Sequence, residues 1–234
     1  FDVTEQAEAE RMRREFTANV SHELKTPLQS IIGSVELLEN DLVQPEDRPR
    51  FLGRIHQEAQ RLVSLINDIL GLSQLDEGAA MPRESVSLLS LAQEAAASLS
   101  AAAQAQNVTL TVNGTAGTLT GVRRLLSETV RNLCENAVKY NVPGGSVTVT
   151  VAETPQAVTL TVADTGIGIP PADQSRVFER FYRVDKSHSR AIGGTGLGLS
   201  IVKHAVAYHH GTVQLDSTPG QGTVITVTLP RDAA

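Results

Sequence analysis

The sequence predicts two domains of different class. An antiparallel helical hairpin, paired with a second copy into a four-helix bundle, precedes an α+β sandwich. Two observations predict this. Apolar residues step by threes and fours through two long early segments, and the later sequence mixes such segments with strict alternation at period two. In the first segment Phe16, Val20, Leu24, Leu28, Ile31, Val35, Leu38 and Leu42 form one apolar stripe. Pro45 and the charged EDR run after it read as a turn. Leu52, Ile55, Ala59, Leu62, Ile66, Ile69 and Leu72 form the second stripe, which closes in DEGAAMP (76–82) at Gly78 and Pro82. One hairpin gives each stripe a single partner; two hairpins enclose a core. Residues 5–77 are therefore expected to form a homodimer.

The second domain follows, with residues 1–80 assigned to the hairpin and 81–234 to the sandwich. Residues 87–105 read as an Ala- and Leu-rich helix and NVTLTV (107–112) as a strand. In 122–140, Leu126, Val130, Leu133, Ala137 and Tyr140 fall at helical spacing. SVTVTVAE (146–153) and AVTLTVAD (157–164) are strands around a short TPQ turn, and 197–210 is a helix ending at Gly211. TVQLDS and GTVITVTLP form a last hairpin across TPGQ.

Composition narrows the function classes. Hydrophobic residues make up 41% of the 234 and aromatics 3%, without Trp, so aliphatic packing carries the core. A net charge of −6 argues against a nucleic-acid partner. The one cysteine, Cys134, forms no internal disulfide and suits a reducing compartment. No apolar run approaches the roughly 20 residues that span a bilayer, and no signal peptide is visible. The chain begins at Phe1, which reads as a fragment with any anchor upstream.

Chemistry concentrates in a few stretches. DTGIGIP (164–170) and GGTGLGLS (193–200) are too glycine-rich for ordinary connectors, and the second runs into a helix, where backbone N–H groups can meet phosphate. No GxxxxGK[ST] is present, and neither stretch completes the dinucleotide fingerprint. Asn132 and Asn136 lie at i and i+4 on one helix face, although Asn is a poor helix former. Their amide oxygens suit Mg²⁺ beside phosphate. Lys139 could meet phosphate charge, and the Asp164 carboxylate could accept from an exocyclic amine such as adenine's. On the first helix His22 lies about 200° round from both Val20 and Leu24, so it faces solvent. Glu23 is its neighbour and Thr26 follows at i+4. HELKT lacks the second histidine of the zinc-protease HExxH, so no metal is implied there.

These stretches together name a family. FTANVSHELKTPL (16–28) resembles the H box of sensor histidine kinases. RNLCENAVKY (131–140), DTGIGIP, FERFYR (178–183) and GGTGLGLS resemble their N, G1, F and G2 boxes, in family order over nearly the whole chain. The resemblance implies a dimeric four-helix bundle followed by a Bergerat-type ATP-binding α/β sandwich, shared with topoisomerase II-type ATPases and Hsp90. It implies ATP and Mg²⁺ as cofactors, autophosphorylation on His22, and transfer to an aspartate of a response regulator receiver domain. Phosphatase activity toward that regulator is implied as well. In these roles Glu23 orients His22 and takes its proton, Thr26 positions water, and Pro27 frees a carbonyl near Glu23. Asn136 holds Mg²⁺ with Asn132 nearby, Lys139 contacts phosphate, Tyr140 packs by adenine, and Asp164 reads its amine. Gly166 and Gly168 admit the base. Gly194, Thr195, Gly196, Leu197 and Gly198 wrap the phosphates at the hinge of a lid over about 171–195, and Arg183 reaches phosphate. SHSRAIGG (187–194) is expected to be mobile without nucleotide, and Phe178, Phe181 and Tyr182 to anchor the lid.

FDVTEQ resembles the exit of a PAS module, which implies a sensor upstream. The fragment is expected to be cytoplasmic, and the full-length protein to be anchored in a bacterial inner membrane. One departure is GVRR (121–124), where the family commonly has an acidic residue near the start of the N-box helix. The rival functions are an ATP-driven dimeric clamp, which needs no exposed His–Glu pair, and a non-catalytic scaffold, which predicts broken boxes.

Overall fold

The computed structural model describes residues 3–76, 81–184 and 194–231, with residues 3–13 and Asp76 described by backbone alone. The chain separates into two compact units, Phe1–Gly71 and Leu72–Ala234.

The first unit is the hairpin. Helix α1 spans Val3–Glu39 and contains Pro27; α2 spans Arg48–Asp76. The expected stripe ran to Leu42, but α1 stops three residues earlier. Asp41 adopts φ +53°, its N–H donates to the Leu38 carbonyl, and the Leu42 N–H reaches back to the Leu37 carbonyl. That is a Schellman-type stop with Asp at the left-handed position, where Asp is better tolerated than most residues. Asp41 also pairs with Arg48 across the turn at 2.6 Å. Much of the apolar surface faces outward in the single chain: Leu28 is 49%, Leu52 59% and Leu70 56% exposed.

The second unit opens with the last turn of α2. Leu72 is fully buried, and Leu75 packs against Val122, Leu125 and Ala205. There follow β1 (Glu84–Ser87), α3 (Leu88–Ala105), β2 (Thr109–Gly114), β3 (Thr118–Gly121), α4 (Arg123–Lys139), β4 (Ser146–Glu153) and β5 (Ala157–Asp164). A helical turn, α5 (Pro171–Gln174), precedes α6 (Gly198–Tyr208), β6 (Thr212–Thr218) and β7 (Gly222–Pro230). The main sheet has the order β2-β4-β5-β7-β6, parallel between β2 and β4 and antiparallel elsewhere. Alternation explains its two faces. Val147, Val149, Val151, Val158, Leu160, Val162, Val227 and Leu229 point into the core, joined there by residues of α3, α4 and α6. Threonines such as Thr161 and Thr226 lie on the other face, with their hydroxyls 3.5 Å apart.

A two-stranded ribbon, β1 with β3, pairs Val86 with Leu119 and was not expected from sequence. It leads into α3, whose start is capped by Ser87 accepting from the Ser90 N–H. Among the described residues no helix is long and apolar enough to cross a membrane.

Candidate functional site

In the second unit the expected residues gather around the C-terminal half of α4. Asp164 ends β5. Its Oδ1 accepts from the Gly166 N–H at 2.8 Å and the Thr223 N–H at 3.3 Å, and Oδ2 has no partner among the described residues. Burial pushes the Asp164 carboxyl above its ordinary range, and the two backbone donors pull the other way. The loop after it folds back on α4: the Ile167 N–H donates to the Tyr140 carbonyl at 3.1 Å. At Gly166 a Cβ would lie 2.3 Å from that carbonyl, and at Gly168, φ +69°, it would lie 2.2 Å from the Thr218 carbonyl. Both glycines thus permit backbone-to-backbone packing of this loop.

Asn141, Thr165 and Ser146 hold the same loop from its other side, and none was singled out from sequence. Asn141 Nδ2 donates to the Ala137 and Ser146 carbonyls, and the Ser146 N–H donates to Thr165 Oγ1. Ser217 and Gln174 do likewise beyond Ile169, whose N–H donates to Ser217 Oγ and whose carbonyl accepts from Gln174 Nε2.

On α4 itself, Asn132 donates to the Glu128 carbonyl one turn back. Asn136 is half-buried and its amide has no partner among the described residues. Lys139 Nζ lies 5.5 Å from the Tyr140 ring centroid. Burial pushes the Tyr140 phenol upward, against the opposing pull of Arg183. Cys134, on the opposite side of this helix, is buried in the core and its thiol is pushed up to about 12, so it offers no nucleophile.

The glycines ahead of α6 approach α4 closely. A Cβ at Gly194 would sit 2.8 Å from Lys139 Nζ, and one at Gly198 would sit 2.8 Å from Asn132 Oδ1. Gly196, φ +72°, packs on the Phe181 backbone, and its carbonyl accepts from the Phe181 N–H at 2.9 Å. Thr195 Oγ1 accepts from the Leu197 N–H, and Leu197 is fully buried. Arg183 donates to the Gly194 carbonyl, and the Tyr182 hydroxyl donates to Asp173. Residues 187–193 of the expected mobile stretch lie outside the described residues.

The basic start of α4 is compensated. No acidic residue stands in its first turn and Val122 provides no side-chain cap. The Val122 N–H instead donates to His209 Nε2 at 2.9 Å, while the other ring nitrogen faces the Ala205 carbonyl at 2.7 Å. That arrangement describes a neutral imidazole with Nδ1 protonated, and burial, the largest cause, lowers its pKa. Arg123 pairs with Glu94 at 2.9 Å, and Arg124 lies 3.7 Å from Glu128.

In the hairpin, His22 is exposed, as its angular position on α1 requires. The Thr26 hydroxyl donates to the His22 carbonyl at 3.2 Å. Pro27 has no N–H for the Glu23 carbonyl. Glu23 Oε2 lies 3.7 Å from Arg61 on α2. Arg61 was not anticipated, because a contact across a hairpin leaves no local spacing signal.

Two family models match different parts of the chain. Residues 12–78 match the family model of the His Kinase A (phospho-acceptor) domain, and residues 121–233 that of the histidine kinase-, DNA gyrase B- and HSP90-like ATPases. The sensor-like histidine kinase SenX3 of Mycolicibacterium smegmatis is 39% identical over 98% of this chain and 60% of its own length. The sensor histidine kinase WalK of Bacillus subtilis is 39% identical over 98% of this chain and 38% of its own. The chain thus spans less than two thirds of these relatives. Among solved structures, full-length ShkA in complex with AMPPNP is similar with a TM-score of 0.69 and 29% identity, over 94% of this chain and 47% of that one. The histidine kinase ThkA, in complex with the response regulator protein TrrA, has a TM-score of 0.69 at 22% identity, over 100% of this chain and 69% of that one. With both of its domains matched, and the motifs found in order on the elements that carry them, the chain belongs to the sensor histidine kinase family and comprises that family's catalytic core.

Proposed function

We propose that this core phosphorylates His22 from ATP and passes the phosphoryl group to an aspartate of a response regulator receiver domain. The observation that carries the reading is the exposed His22 with Glu23 beside it, on a helical hairpin joined to an ATPase-type domain. A neutral imidazole nitrogen attacks the γ-phosphorus, the bond from phosphorus to the β–γ bridging oxygen breaks, and ADP leaves with that electron pair. The other ring nitrogen gives up its proton to Glu23, acting as general base.

In the ATP unit, the uncommitted Oδ2 of Asp164 suits an exocyclic amine of adenine, with Tyr140 alongside the base. Lys139, Arg183 and the backbone of Gly194, Thr195, Gly196, Leu197 and Gly198 suit the phosphates. ShkA's complex with AMPPNP supports a nucleotide in this fold. The donor set also fits Mg²⁺. Among the described residues no cluster of three His, Cys, Asp or Glu could hold a metal, whereas the half-buried Asn136 amide is unpartnered. Asn136, with Asn132 nearby, would hold the ion, and most of its ligands would come from phosphate. Bound there, Mg²⁺ supplies charge neutralisation.

The exposed apolar residues of the hairpin fit a second copy, closing a four-helix bundle through residues 5–77. Residues 1–80 then serve as the dimerisation and phosphotransfer domain and 81–234 as the catalytic domain. A response regulator as partner is supported by ThkA's complex with TrrA. Thr26 places the water that hydrolyses the phospho-regulator, which makes the core bifunctional. The whole protein would place this core in the cytoplasm, below a membrane-anchored sensor.

The test is incubation with Mg²⁺ and γ-labelled ATP, with His22→Gln in parallel. Label that is lost in acid, survives alkali and is missing from His22→Gln is the expected result. ATP turnover without protein label, unchanged by His22→Gln, would overturn it in favour of an ATP-driven clamp.

A further inference from the structure

We propose that Arg61 is a positioning residue that holds the Glu23 carboxylate in register with His22, and that Glu58 is the second acceptor to which Arg61 can exchange. The proposal rests on the reading of Glu23 as the base. His22 is exposed, so what surrounds its ring is set by its neighbours rather than by packing. Glu23 is the neighbour that reaches inward. Its Oε2 lies 3.7 Å from Arg61 Nη2, and the two side chains are only 26% and 25% exposed. A pair so far withdrawn from water is screened less than a surface pair and constrains its partners more. It ties the residue beside the phospho-acceptor to the opposite helix.

The same cation has another claim on it. Glu58 precedes Arg61 by three residues on α2, the spacing that brings side chains to one face. Glu58 Oε2 is buried with no hydrogen-bond partner. An unpartnered buried carboxylate oxygen is costly, and the guanidinium three residues on carries five donors. The contact to Glu23 is an ion pair beyond hydrogen-bonding distance, so no hydrogen bond has to break for Arg61 to turn to Glu58. Pro27 adds freedom at the same level of α1, since the Glu23 carbonyl lacks its usual helical donor. Two acceptors for one cation give the Arg61 guanidinium two positions, in one of which it pairs with the Glu23 carboxylate.

The experiment measures the maximal rate of phosphohistidine formation and the KM for ATP in the full chain. Arg61→Ala is expected to lower the maximal rate about tenfold or more, the scale of a misplaced catalytic group, with the KM unchanged. Arg61→Lys should recover most of the loss. Arg61→Gln is read alongside in case the alanine variant does not fold. In a Glu23→Gln background, Arg61→Ala should cost nothing further, because a positioning residue acts only through the group it positions. Glu58→Gln should leave the rate at or above wild type. Losses from Glu23→Gln and Arg61→Ala that multiply, or a wild-type rate in Arg61→Ala, would overturn the positioning role. A slower Glu58→Gln would overturn the exchange. Label that persists in His22→Gln would instead mean that the reading of the site had failed.

Discussion

Replacing Asp164 with Asn separates nucleotide recognition from folding. An amide oxygen at this position still accepts from the Gly166 and Thr223 N–H groups, so the loop keeps its anchor. What changes is the charge and the second oxygen. Burial is the largest influence on the carboxyl and raises its pKa above the ordinary 3.8. A raised folded value means the group's stabilising contribution is complete below the ordinary 3.8 of the unfolded chain and is lost as pH rises from there through the folded pKa. At neutral pH the buried carboxylate therefore works against folding, and Asp164→Asn should raise the melting temperature of the nucleotide-free protein. Binding moves the opposite way. The NH₂ that replaces Oδ2 cannot accept from adenine's amine, and a hydrogen bond to a charged group is worth about 1.5–3 kcal/mol, roughly 10- to 150-fold in Kd. Asp164→Ala should also lose stability, because two backbone donors lose their acceptor. Thermal melts without nucleotide and calorimetric titration with ATP in Mg²⁺ read the two effects. An Asp164→Asn protein that melts lower and binds ATP as well as wild type would refute the reasoning on both counts.

Gly166→Ala should lower the urea midpoint by the equivalent of about 1–3 kcal/mol, because its Cβ meets backbone that cannot swing aside. His209 carries a pH signature. Its folded pKa lies below the ordinary 6.5, so its contribution is complete above about pH 6.5 and is lost as pH falls through that value toward the folded one. Urea midpoints should therefore drop between pH 8 and pH 5.5, and His209→Gln should flatten part of that drop. Thr26→Ala removes a hydroxyl that bonds only within its own exposed helix face, so stability should change by less than about 0.5 kcal/mol. Loss of phospho-regulator hydrolysis in that variant, with His22 labelling retained, is the expected result of a paired labelling and dephosphorylation assay.

Legibility in the sequence followed how local each cause was. Strands β4 and β5 run over the very residues that alternation predicts, because the valines at 147, 149 and 151 need only one buried face to specify them. The ribbon of β1 and β3 was missed because ESVS and TLTG are too short to carry a period; each is a strand because the other pairs with it. The end of α1 was placed too late because Leu42 continues the apolar spacing, while the stop depends on one backbone angle at Asp41. At the candidate site the residue types were legible and their contacts were not. The glycines at 166 and 168 read as room for a base; what no sequence pattern showed is that the Tyr140 and Thr218 carbonyls come nearest to where a Cβ would sit there. Arg61 owes its place to a contact across the hairpin that no local pattern records.

Helix α6 meets α4 at both of its own ends, which bears on how nucleotide could be felt elsewhere in the second unit. At one end Gly198 abuts Asn132, so the start of α6 cannot move without disturbing an asparagine that faces the site. At the other end His209, just beyond α6, accepts from Val122, the N-cap residue that precedes α4. The neighbouring Tyr208 takes part as well: its hydroxyl accepts from the Met81 N–H, and Arg83 stacks over its ring at 5.7 Å. Residues 81–83 are the described stretch that follows α2, and they continue into the ribbon beside Gly121. The segment arriving from the hairpin is thus fastened to the far end of the helix whose near end carries the glycine loop. A close-packed pair of helices transmits displacement better than a loop does. The order of these contacts gives one continuous route within the second unit, from Gly198 through α6 to Tyr208 and Met81, by which an ordered glycine loop and residues 81–83 can bias each other.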